Sequence, residues 1–418
     1  MSIAYFAPCP RGLEQALADE LAEIAIRPEV DELAAFEVGR TVPGGVHFFG
    51  TQGAAYAVNL HSRIASRVLM RLGARGYRSE DDIYTLAAAQ RWEDYFTPDE
   101  MIRVDVTAHK SPLQSLKFVG LRVKDGVCDR FRQRMGARPS VDTVSPDVRI
   151  YAYLTETDCT IYLDTTGEPL FKRGWREDKG DAPLKETLAA AMLAASGWAD
   201  GDADLQPLYD PCCGSGTIAI EAAQIACNIA AGSLRRFAFE KFVPFRQQVW
   251  SDMKKQAAEA VVKPEPGQPA LIYGSDVSHR MVDFAQRNAQ RAGVADVIEF
   301  RGGDALQRLP PIEGGGVMLM NPPYGERIGI GGVAGEGDQA RFGARELAET
   351  EDGVAFFTQL ASHWKKNYAG WTAWVLTPDL KLPAKMRLKE SRRVPMWNGP
   401  IECRLFKFDM VKGSARTK

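Results

Sequence analysis

The chain has 418 residues, 45% of them hydrophobic and 25% charged, and its formal net charge is −2. This length and composition predict about two or three globular domains with sizeable cores. The seven cysteines show no CxxC or Cys/His spacing, and no apolar run reaches the roughly 18 residues of a membrane helix, so neither a metal site nor a membrane partner is expected. Scattered cysteines and an N-terminus without a signal pattern favour the cytoplasm.

The first part of the chain, up to about residue 165, is predicted to mix helices and strands. Strands are predicted where apolar and polar residues alternate, and helices where apolar residues recur every three or four positions. The predicted strands are 3–6, 44–49, 102–108 and a closing pair within 150–163, and the predicted helices are one that starts after Pro10, then 54–72, 84–95 and 118–135.

A concentration of basic residues coincides with the last of these helices. The interval 117–138 holds seven basic residues and two acids in a chain that is nearly neutral overall. Such density is the electrostatic footprint expected of phosphate contacts, and a solvated helix face is the alternative. The candidate RNA contacts are Lys117, Arg122, Lys124, Arg130, Arg132, Arg134 and Arg138.

The second part of the chain alternates strands with helices, which is typical of a doubly wound parallel α/β sheet. An Asn-Gly pair at 398–399 predicts a hairpin, so the sheet is expected to end in antiparallel strands. The predicted strands are 207–210, 271–276, 297–302, 317–320, 372–376, 392–396 and 401–408.

A glycine-rich turn follows the first strand of this sheet. The sequence LYDPCCGSGT at 208–217 is a strand end, a turn and the start of a helix predicted over 218–231. Glycines let a ligand approach the backbone, and the helix N-terminus offers free N–H groups, although the turn departs from the G-x-G-x-x-G of dinucleotide folds. The candidate cofactor contacts are Asp210, Pro211, Cys213, Gly214, Ser215, Gly216 and Thr217.

Two acidic residues stand at later strand ends. Asp276, followed by Val277, ends its strand where an acid accepts hydrogen bonds from both ribose hydroxyls. Asp304, with the Ala305 backbone nearby, follows the next strand and is placed to accept the adenine amino group. Taken alone, both carboxylates would more often be helix caps.

The spacing of the motifs also predicts an insertion. Asp276 lies 66 residues after Asp210, whereas a simple dinucleotide fold needs about 20. The extra segment contains FAFEKFVPFRQQVW at 237–250. Its aromatic residues either cover the substrate pocket or pack as a peripheral helix, and packing is favoured.

The stretch GVMLMNPPYGER at 316–327 is the main candidate for chemistry. An apolar strand ends in Asn321, Pro322, Pro323 and Tyr324. The two prolines lack backbone donors, so nearby carbonyls and the Asn321 amide oxygen are expected to be free acceptors, and Tyr324 adds a flat face. This combination suits a planar ring that carries an exocyclic amine. An ordinary strand-ending turn is the alternative.

Together, DPCCGSGT and NPPY resemble motifs I and IV of the class I S-adenosylmethionine-dependent methyltransferases that modify amino groups. The segments PRGLEQALADEL, KFVGLRVKDGVCDRFR, RPSVD with PDVRIYAYL, and EPLFKRGWR resemble the ferredoxin-like plus THUMP module of bacterial guanine-N2 RNA methyltransferases. The resemblance implies a ferredoxin-like part at 1–45, a THUMP RNA-binding domain at 46–165, a linker at 166–182 and a Rossmann-like methyltransferase domain at 183–418.

The resemblance also implies a cofactor and a reaction. S-adenosylmethionine would be converted to S-adenosylhomocysteine, with Lys185 and Glu186 over its methionine end. Asn321 and the Pro322 carbonyl would accept the protons of the target amine, while Tyr324 stacks on a base taken out of its helix. The glycine-rich interval 328–353 is either a mobile lid or a tolerated insertion.

The NPPY motif alone does not distinguish between several substrates. It is shared by enzymes that methylate guanine N2 in RNA, adenine N6 in DNA and glutamine in release factors. The resemblance of the N-terminal module implies RNA, and overall similarity implies 23S ribosomal RNA or a ribosomal precursor. A transfer RNA guanine-N2 methyltransferase and a non-catalytic RNA-binding ribosome-assembly factor are the alternatives.

Overall fold

A computed structural model describes residues 2–180, 183–199, 205–263, 270–322 and 351–411, apart from the side chains of 351–354. The predictions at Pro323 and Tyr324, and most of those for 328–353, lie outside the described residues. The chain forms two compact units. The first contains Met1–Cys9, Leu17–Lys172 and Ala230–Glu259, and the second contains Pro10–Ala16, Arg173–Ile229 and Ala260–Lys418.

The first unit is built on a seven-stranded sheet. Its strand order is β2-β3-β1-β4-β7-β6-β5, and every pair is antiparallel except the parallel pair of β5 and β6. The elements up to the end of this sheet are β1 (Ile3–Pro8), α1 (Glu14–Ala25), β2 (Phe36–Val42), β3 (Gly45–Gly50), α2 (Gln52–His61), β4 (Leu69–Gly76), α3 (Glu80–Ala88), β5 (Ile102–Ala108), α4 (Leu116–Met135), β6 (Val148–Leu154) and β7 (Asp158–Asp164).

Helix α4 forms because its apolar residues recur every four positions. Val119, Val123, Val127 and Phe131 are all buried, which gives the helix one core-facing stripe. The Ser115 hydroxyl oxygen accepts a hydrogen bond from the Phe118 N–H at its start, and a glycine ends it. The predicted helix 118–135 is therefore confirmed.

The predicted helix 54–72 is wrong. Helix α2 ends at His61, and strand β4 begins eight residues later. The Glu20 carboxylate accepts hydrogen bonds from the N–H groups of Arg63 and Ile64 and from the Ser62 hydroxyl. The two backbone N–H groups would otherwise continue the helical ladder, so a side chain distant in sequence ends the helix.

The predicted helix 84–95 is also shifted. Helix α3 begins at Glu80 because Ser79 and Asp82 form a capping box. It ends at Ala88, and only a single 3-10 turn, Trp92–Asp94, follows. The capping residue Ser79 was present in the sequence five residues before the predicted start.

The inserted segment packs within the first unit. Helix α7 (Gln247–Glu259) closes it. The Phe239 ring stacks on the Tyr56 ring with centroids 4.3 Å apart, and the Trp250 ring meets Phe239 edge-on at 5.1 Å. All three rings are buried. The aromatic residues therefore form a core, as the favoured interpretation predicted.

The second unit is a doubly wound sheet in the order β10-β9-β8-β11-β12-β14-β13. Strands β8 to β12 are parallel, while β14 is antiparallel to both β12 and β13. Its elements are α5 (Glu186–Ser196), β8 (Leu208–Asp210), α6 (Thr217–Ala226), β9 (Ile272–Asp276), α8 (His279–Arg291), β10 (Ile298–Gly302), β11 (Gly316–Met320), α9 (Glu351–Asn367), β12 (Trp371–Thr377), α10 (Leu382–Met386), β13 (Arg392–Asn398) and β14 (Ile401–Asp409). The predicted fold class is confirmed.

Burial explains why these strands are so apolar. All five residues of β11 are buried, and Met318 and Met320 pack into a cluster with Leu360 and Trp364 of α9. Within the part of the chain that the structure describes, no helix is both long and apolar enough to cross a membrane.

Candidate active site

The carboxyl ends of four parallel strands meet at one edge of the second sheet. Asp210 of β8 pairs in register with Gly274 of β9, and Asp276 at the end of β9 pairs with Gly302 of β10. Strand β11 lies on the other side of β8. The residues that follow these strands therefore come together, and such an edge is where α/β sheets bind ligands.

The glycine turn is attached to the neighbouring strand by its backbone. The Cys213 N–H donates to the Ser275 carbonyl at 2.8 Å, and the Gly214 N–H donates to Asp276 Oδ2 at 3.0 Å. Gly216 has a φ of +88°, and a Cβ atom there would lie 3.0 Å from the Cβ of Ala285 on α8. Glycine is needed at 216 because both the backbone conformation and the approach of α8 exclude a side chain.

Asp276 joins the turn to the start of α8. Its Oδ1 accepts a hydrogen bond from the Ser278 N–H at 2.9 Å, while its Oδ2 accepts the one from Gly214. Burial raises the pKa of this carboxyl. Each carboxylate oxygen can accept two hydrogen bonds, so the arrangement leaves capacity for ribose hydroxyls. Val277 beside it is about half exposed and offers an apolar surface.

Asp210 lies deeper than Asp276. Its Oδ1 accepts a hydrogen bond from the Cys212 N–H at 3.1 Å. Burial raises the pKa of Asp210 to about 8, and the neighbouring Asp276 charge acts in the same direction. Asp210 is therefore largely protonated at neutral pH, and it acts as a neutral anchor of the turn rather than as a fixed charge.

Asp304 caps the turn that follows β10. Its Oδ1 accepts from the Leu306 N–H at 2.9 Å, and its carbonyl accepts from the Gln307 and Arg308 N–H groups at 3.0 Å. Ala305 is buried beside it. Asp304 thus closes a turn rather than capping a helix. Its strand end also adjoins Asp276, whose carbonyl accepts a hydrogen bond from the Gly303 N–H.

Asn321 follows β11 directly and carries the most unusual polar atom of the site. Its Oδ1 is buried, and among the described residues it has no hydrogen-bond partner. Pro322 after it is buried and has no N–H to donate. A buried acceptor without a partner costs about 1–3 kcal/mol, so such atoms in native proteins call for an explanation. A ligand with an N–H donor would provide one.

The two residues predicted over the methionine end differ in their surroundings. Glu186 is buried at the start of α5, whereas the side chain of Lys185 is exposed. The structure connects Glu186 to the glycine turn through Arg176, which donates to Glu186 Oε1 at 2.7 Å and to the Ser215 hydroxyl at 2.8 Å. Sequence reasoning missed Arg176. Arg176 is the last residue of EPLFKRGWR, one of the segments that carried the resemblance, but no role was predicted for it because its surroundings were interpreted as a linker.

The seven predicted RNA contacts lie on or just after α4 in the first unit, and they divide into two groups. Arg122 donates to Asp81 at 2.6 Å and lies over the Tyr84 ring at 4.4 Å, and Arg130 donates to Glu93 at 3.1 Å. Lys124 and Arg132 form ion pairs with acids of α4 itself. The exposed members with no ion pair among the described residues are Lys117, Arg134 and Arg138.

The described residues contain no group of three or more histidine, cysteine, aspartate or glutamate residues that could hold a metal ion.

Three known domain families match the chain. Residues 4–69 match the RlmL ferredoxin-like domain, residues 77–164 match the THUMP domain, and residues 173–335 match the RMKL-like methyltransferase domain. The matched methyltransferase region contains the glycine turn, Asp276, Asp304 and Asn321.

Similar proteins cover nearly all of the chain. The ribosomal RNA large subunit methyltransferase K/L of Psychromonas ingrahamii is 38% identical over 403 residues, which are 96% of this chain and 49% of that protein. The chain spans about half the length of the curated relatives it matches.

Two crystal structures share its architecture. SMU.472, solved as a complex with SAH, is 25% identical with a TM-score of 0.79 over 98% of both chains. A Listeria monocytogenes protein described as a predicted N6-adenine-specific DNA methylase is 28% identical, with a TM-score of 0.80 over 98% of this chain and 96% of that one.

Proposed function

We propose that the chain is a THUMP-domain, RlmL-like methyltransferase that acts on RNA, because its three domain matches are to that family's ferredoxin-like, THUMP and methyltransferase domains. The methyl group comes from S-adenosylmethionine and is transferred to the exocyclic N2 amine of a guanosine, with S-adenosylhomocysteine as the second product. We place the reaction in the cytoplasm and take 23S ribosomal RNA or a ribosomal precursor as the substrate, because the curated relatives are named as ribosomal RNA large subunit methyltransferases.

The observation that carries the proposal is the buried Oδ1 of Asn321, directly after β11, which has no hydrogen-bond partner in the part of the chain that the structure describes. A guanine amine donates two N–H groups, and Asn321 Oδ1 is an acceptor already stripped of water. Binding one amino hydrogen there removes the cost of the unmade hydrogen bond. The same contact supports the proposed catalytic role of Asn321, because it fixes the amine and stabilises the positive charge that develops on nitrogen.

The remaining catalytic roles follow from the same corner of the sheet. The Pro322 carbonyl would accept the second amino hydrogen, and we assign base stacking to Tyr324, with Pro323 holding the turn rigid. S-adenosylmethionine, when bound, supplies an electrophilic methyl group. After the new N–C bond forms, the amine nitrogen loses one proton to solvent, so the residues of the chain need not include a strong base.

The strand ends fit this cofactor. Asp276 and Val277 offer an acceptor and an apolar surface for the ribose and adenine, Asp304 and Ala305 lie at the next strand end, and the buried Glu186 suits the cationic methionine amino group. We assign RNA contacts to α4 and the residues just after it. The strongest candidates are the exposed cations that form no ion pair within the described ranges.

The test is methyl transfer by wild type and by Asn321→Ala. Labelled S-adenosylmethionine is offered with 23S ribosomal RNA, ribosomal precursor particles or bulk transfer RNA, and the products are digested for nucleoside mass spectrometry. We expect N2-methylguanosine in the ribosomal RNA, and a fall of about 10²–10³-fold in Asn321→Ala with nearly unchanged S-adenosylhomocysteine affinity.

Asn367→Ala is the matched control, since that asparagine bonds the His363 carbonyl within α9 and should leave transfer unchanged. Full activity of Asn321→Ala would disprove the catalytic role. Label in transfer RNA alone would favour the transfer RNA enzyme, and failure to bind S-adenosylhomocysteine would favour a non-catalytic RNA-binding factor.

A further inference from the structure

Arg176 gathers three parts of the second unit around one guanidinium group. Its Nε donates to Glu186 Oε1 at 2.7 Å, and its Nη1 donates to the Ser215 hydroxyl at 2.8 Å. Its Nη2 donates to the Thr217 hydroxyl at 2.7 Å and to the Leu184 carbonyl at 3.2 Å. The guanidinium carbon also lies 4.9 Å from the centre of the Trp175 ring. One side chain thus ties the glycine turn to the start of α5.

We propose that Arg176 is a positioning residue of the cofactor site, which holds Glu186 and the hydroxyl groups of Ser215 and Thr217 in the arrangement that binds the methionine end of S-adenosylmethionine. This inference rests on the function proposed above and assigns a role to a residue in a segment that composition presents as a linker. Arg176 does not itself touch the cofactor, because four of its five N–H donors are directed to protein atoms.

The geometry requires arginine rather than a cation in general. The four acceptors are reached from three nitrogen atoms of one rigid plane, whereas a lysine has a single nitrogen and cannot span them. A second contact holds the same segment in place. Asn288 of α8, which is fully buried, donates both to the Ser215 carbonyl at 3.1 Å and to the Asp178 carbonyl at 2.8 Å.

The charge of Glu186 depends on the same contact. Burial raises the pKa of Glu186, the Arg176 charge and hydrogen bond oppose that rise, and the neighbouring Glu221 on α6 adds to it. Glu221 is itself bonded to the buried Arg173 at 3.0 Å. Removal of Arg176 therefore leaves a buried glutamate with a higher pKa, which takes up a proton nearer to neutral pH. A protonated Glu186 cannot attract the cationic amino group.

The test is calorimetric titration with S-adenosylhomocysteine between pH 6 and pH 9, with every affinity expressed relative to wild type at the same pH. We expect Arg176→Gln to bind about tenfold or more weakly near pH 6.5, since a charge-assisted contact is lost, and to recover toward pH 9. Arg176→Lys keeps the charge but not the geometry, so its loss should not vary with pH. The double variant Arg176→Gln with Glu186→Gln should lose the pH dependence.

Arg173→Lys is the control, since Arg173 lies in the same segment, is even more deeply buried than Arg176, and bonds Glu221 of α6. It should lower the thermal midpoint without a pH-dependent change in affinity. If wild type binds and either Arg176→Gln or a folded Arg176→Lys matches it at every pH, the positioning role is wrong. If wild type itself does not bind, the proposed function fails instead.

Discussion

The strand ends of the second unit and helix α4 of the first unit both concentrate charged residues, but they differ in where the partners of those charges come from. At the strand ends, the partners are backbone N–H groups. Asp210 accepts a hydrogen bond from Cys212 in the turn that follows it, and Asp276 accepts one from Ser278 in its own turn and one from Gly214 in the turn after β8. On α4, Arg122 and Arg130 are paired with acids of other elements, Asp81 and Glu93.

This difference explains in which cases the local sequence alone can predict that a charged side chain is available to a ligand. Each strand-end carboxylate accepts a hydrogen bond from an N–H group of its own turn, two residues further on, so a short motif is enough to predict part of its placement. A charge on an exposed helix is free only if no acid from elsewhere in the fold reaches it. Charge density along the chain therefore overstates the number of cations available for a polyanion.

Among the substitutions that test this comparison, Asp210→Asn is expected to change the free energy of unfolding the most. The folded state keeps a proton on Asp210 up to about pH 8, whereas the unfolded chain releases it near the ordinary value of 3.8. Its contribution to stability is fully present below pH 3.8 and is lost as the pH rises to about 8. Between pH 5 and pH 8, wild type should therefore lose about 1.4 kcal/mol of unfolding free energy per pH unit relative to Asp210→Asn.

Urea unfolding at each pH measures this difference. Asparagine retains an oxygen that can accept the Cys212 N–H, so the fold should survive the substitution. The exposed Asp283→Asn in the same unit corrects for the general effect of removing a carboxylate. If wild type and Asp210→Asn keep a constant difference from pH 5 to pH 8, burial does not hold the proton as described.

Gly216→Ala tests whether the glycine turn is fixed by its backbone. The left-handed φ and the contact with Ala285 both oppose a methyl group, and together they should cost about 2–3 kcal/mol of unfolding free energy. Gly214→Ala is the matched control, because its φ of +53° carries the backbone cost alone and its Cβ would meet no atom within 4 Å. If the two variants lose the same unfolding free energy, the contact with α8 does not contribute to the requirement for glycine at 216.

Local patterns predicted the parts of the molecule whose contacts are local. Residues 317–320 were predicted as a buried strand, and strand β11 is buried throughout. Of the acceptors predicted after it, Asn321 Oδ1 has no hydrogen-bond partner among the described residues. The Asn-Gly pair predicted the hairpin of β13 and β14. In both places the residues that determine the structure are neighbours in the chain.

Distant partners explain what the sequence did not predict. The helix predicted over 54–72 ends early because Glu20 binds the N–H groups that follow α2. Arg176 was overlooked because its partners Glu186, Ser215 and Thr217 lie 10, 39 and 41 residues away. No periodicity or motif in a single sequence records such contacts.

The smallest effects are expected on RNA affinity, when the paired and the unpaired cations on and after α4 are substituted separately. If the unpaired cations contact phosphates, the triple variant of Lys117, Arg134 and Arg138 to alanine should reduce the slope of log affinity against log salt concentration. Each lost phosphate contact is worth about 0.7–0.9 in that slope. The affinity of single variants should fall by about 1 kcal/mol or less, because exposed charges are screened.

The paired group provides the comparison. The double variant Arg122→Gln with Asp81→Asn removes a cation together with its acid, so the local net charge is unchanged and the slope should stay at the wild-type value. Filter binding to a ribosomal RNA fragment at several salt concentrations measures both variants. If the double variant lowers the slope as much as the triple variant does, Arg122 leaves Asp81 to bind phosphate, and ion pairs within the free protein do not identify the cations that RNA uses.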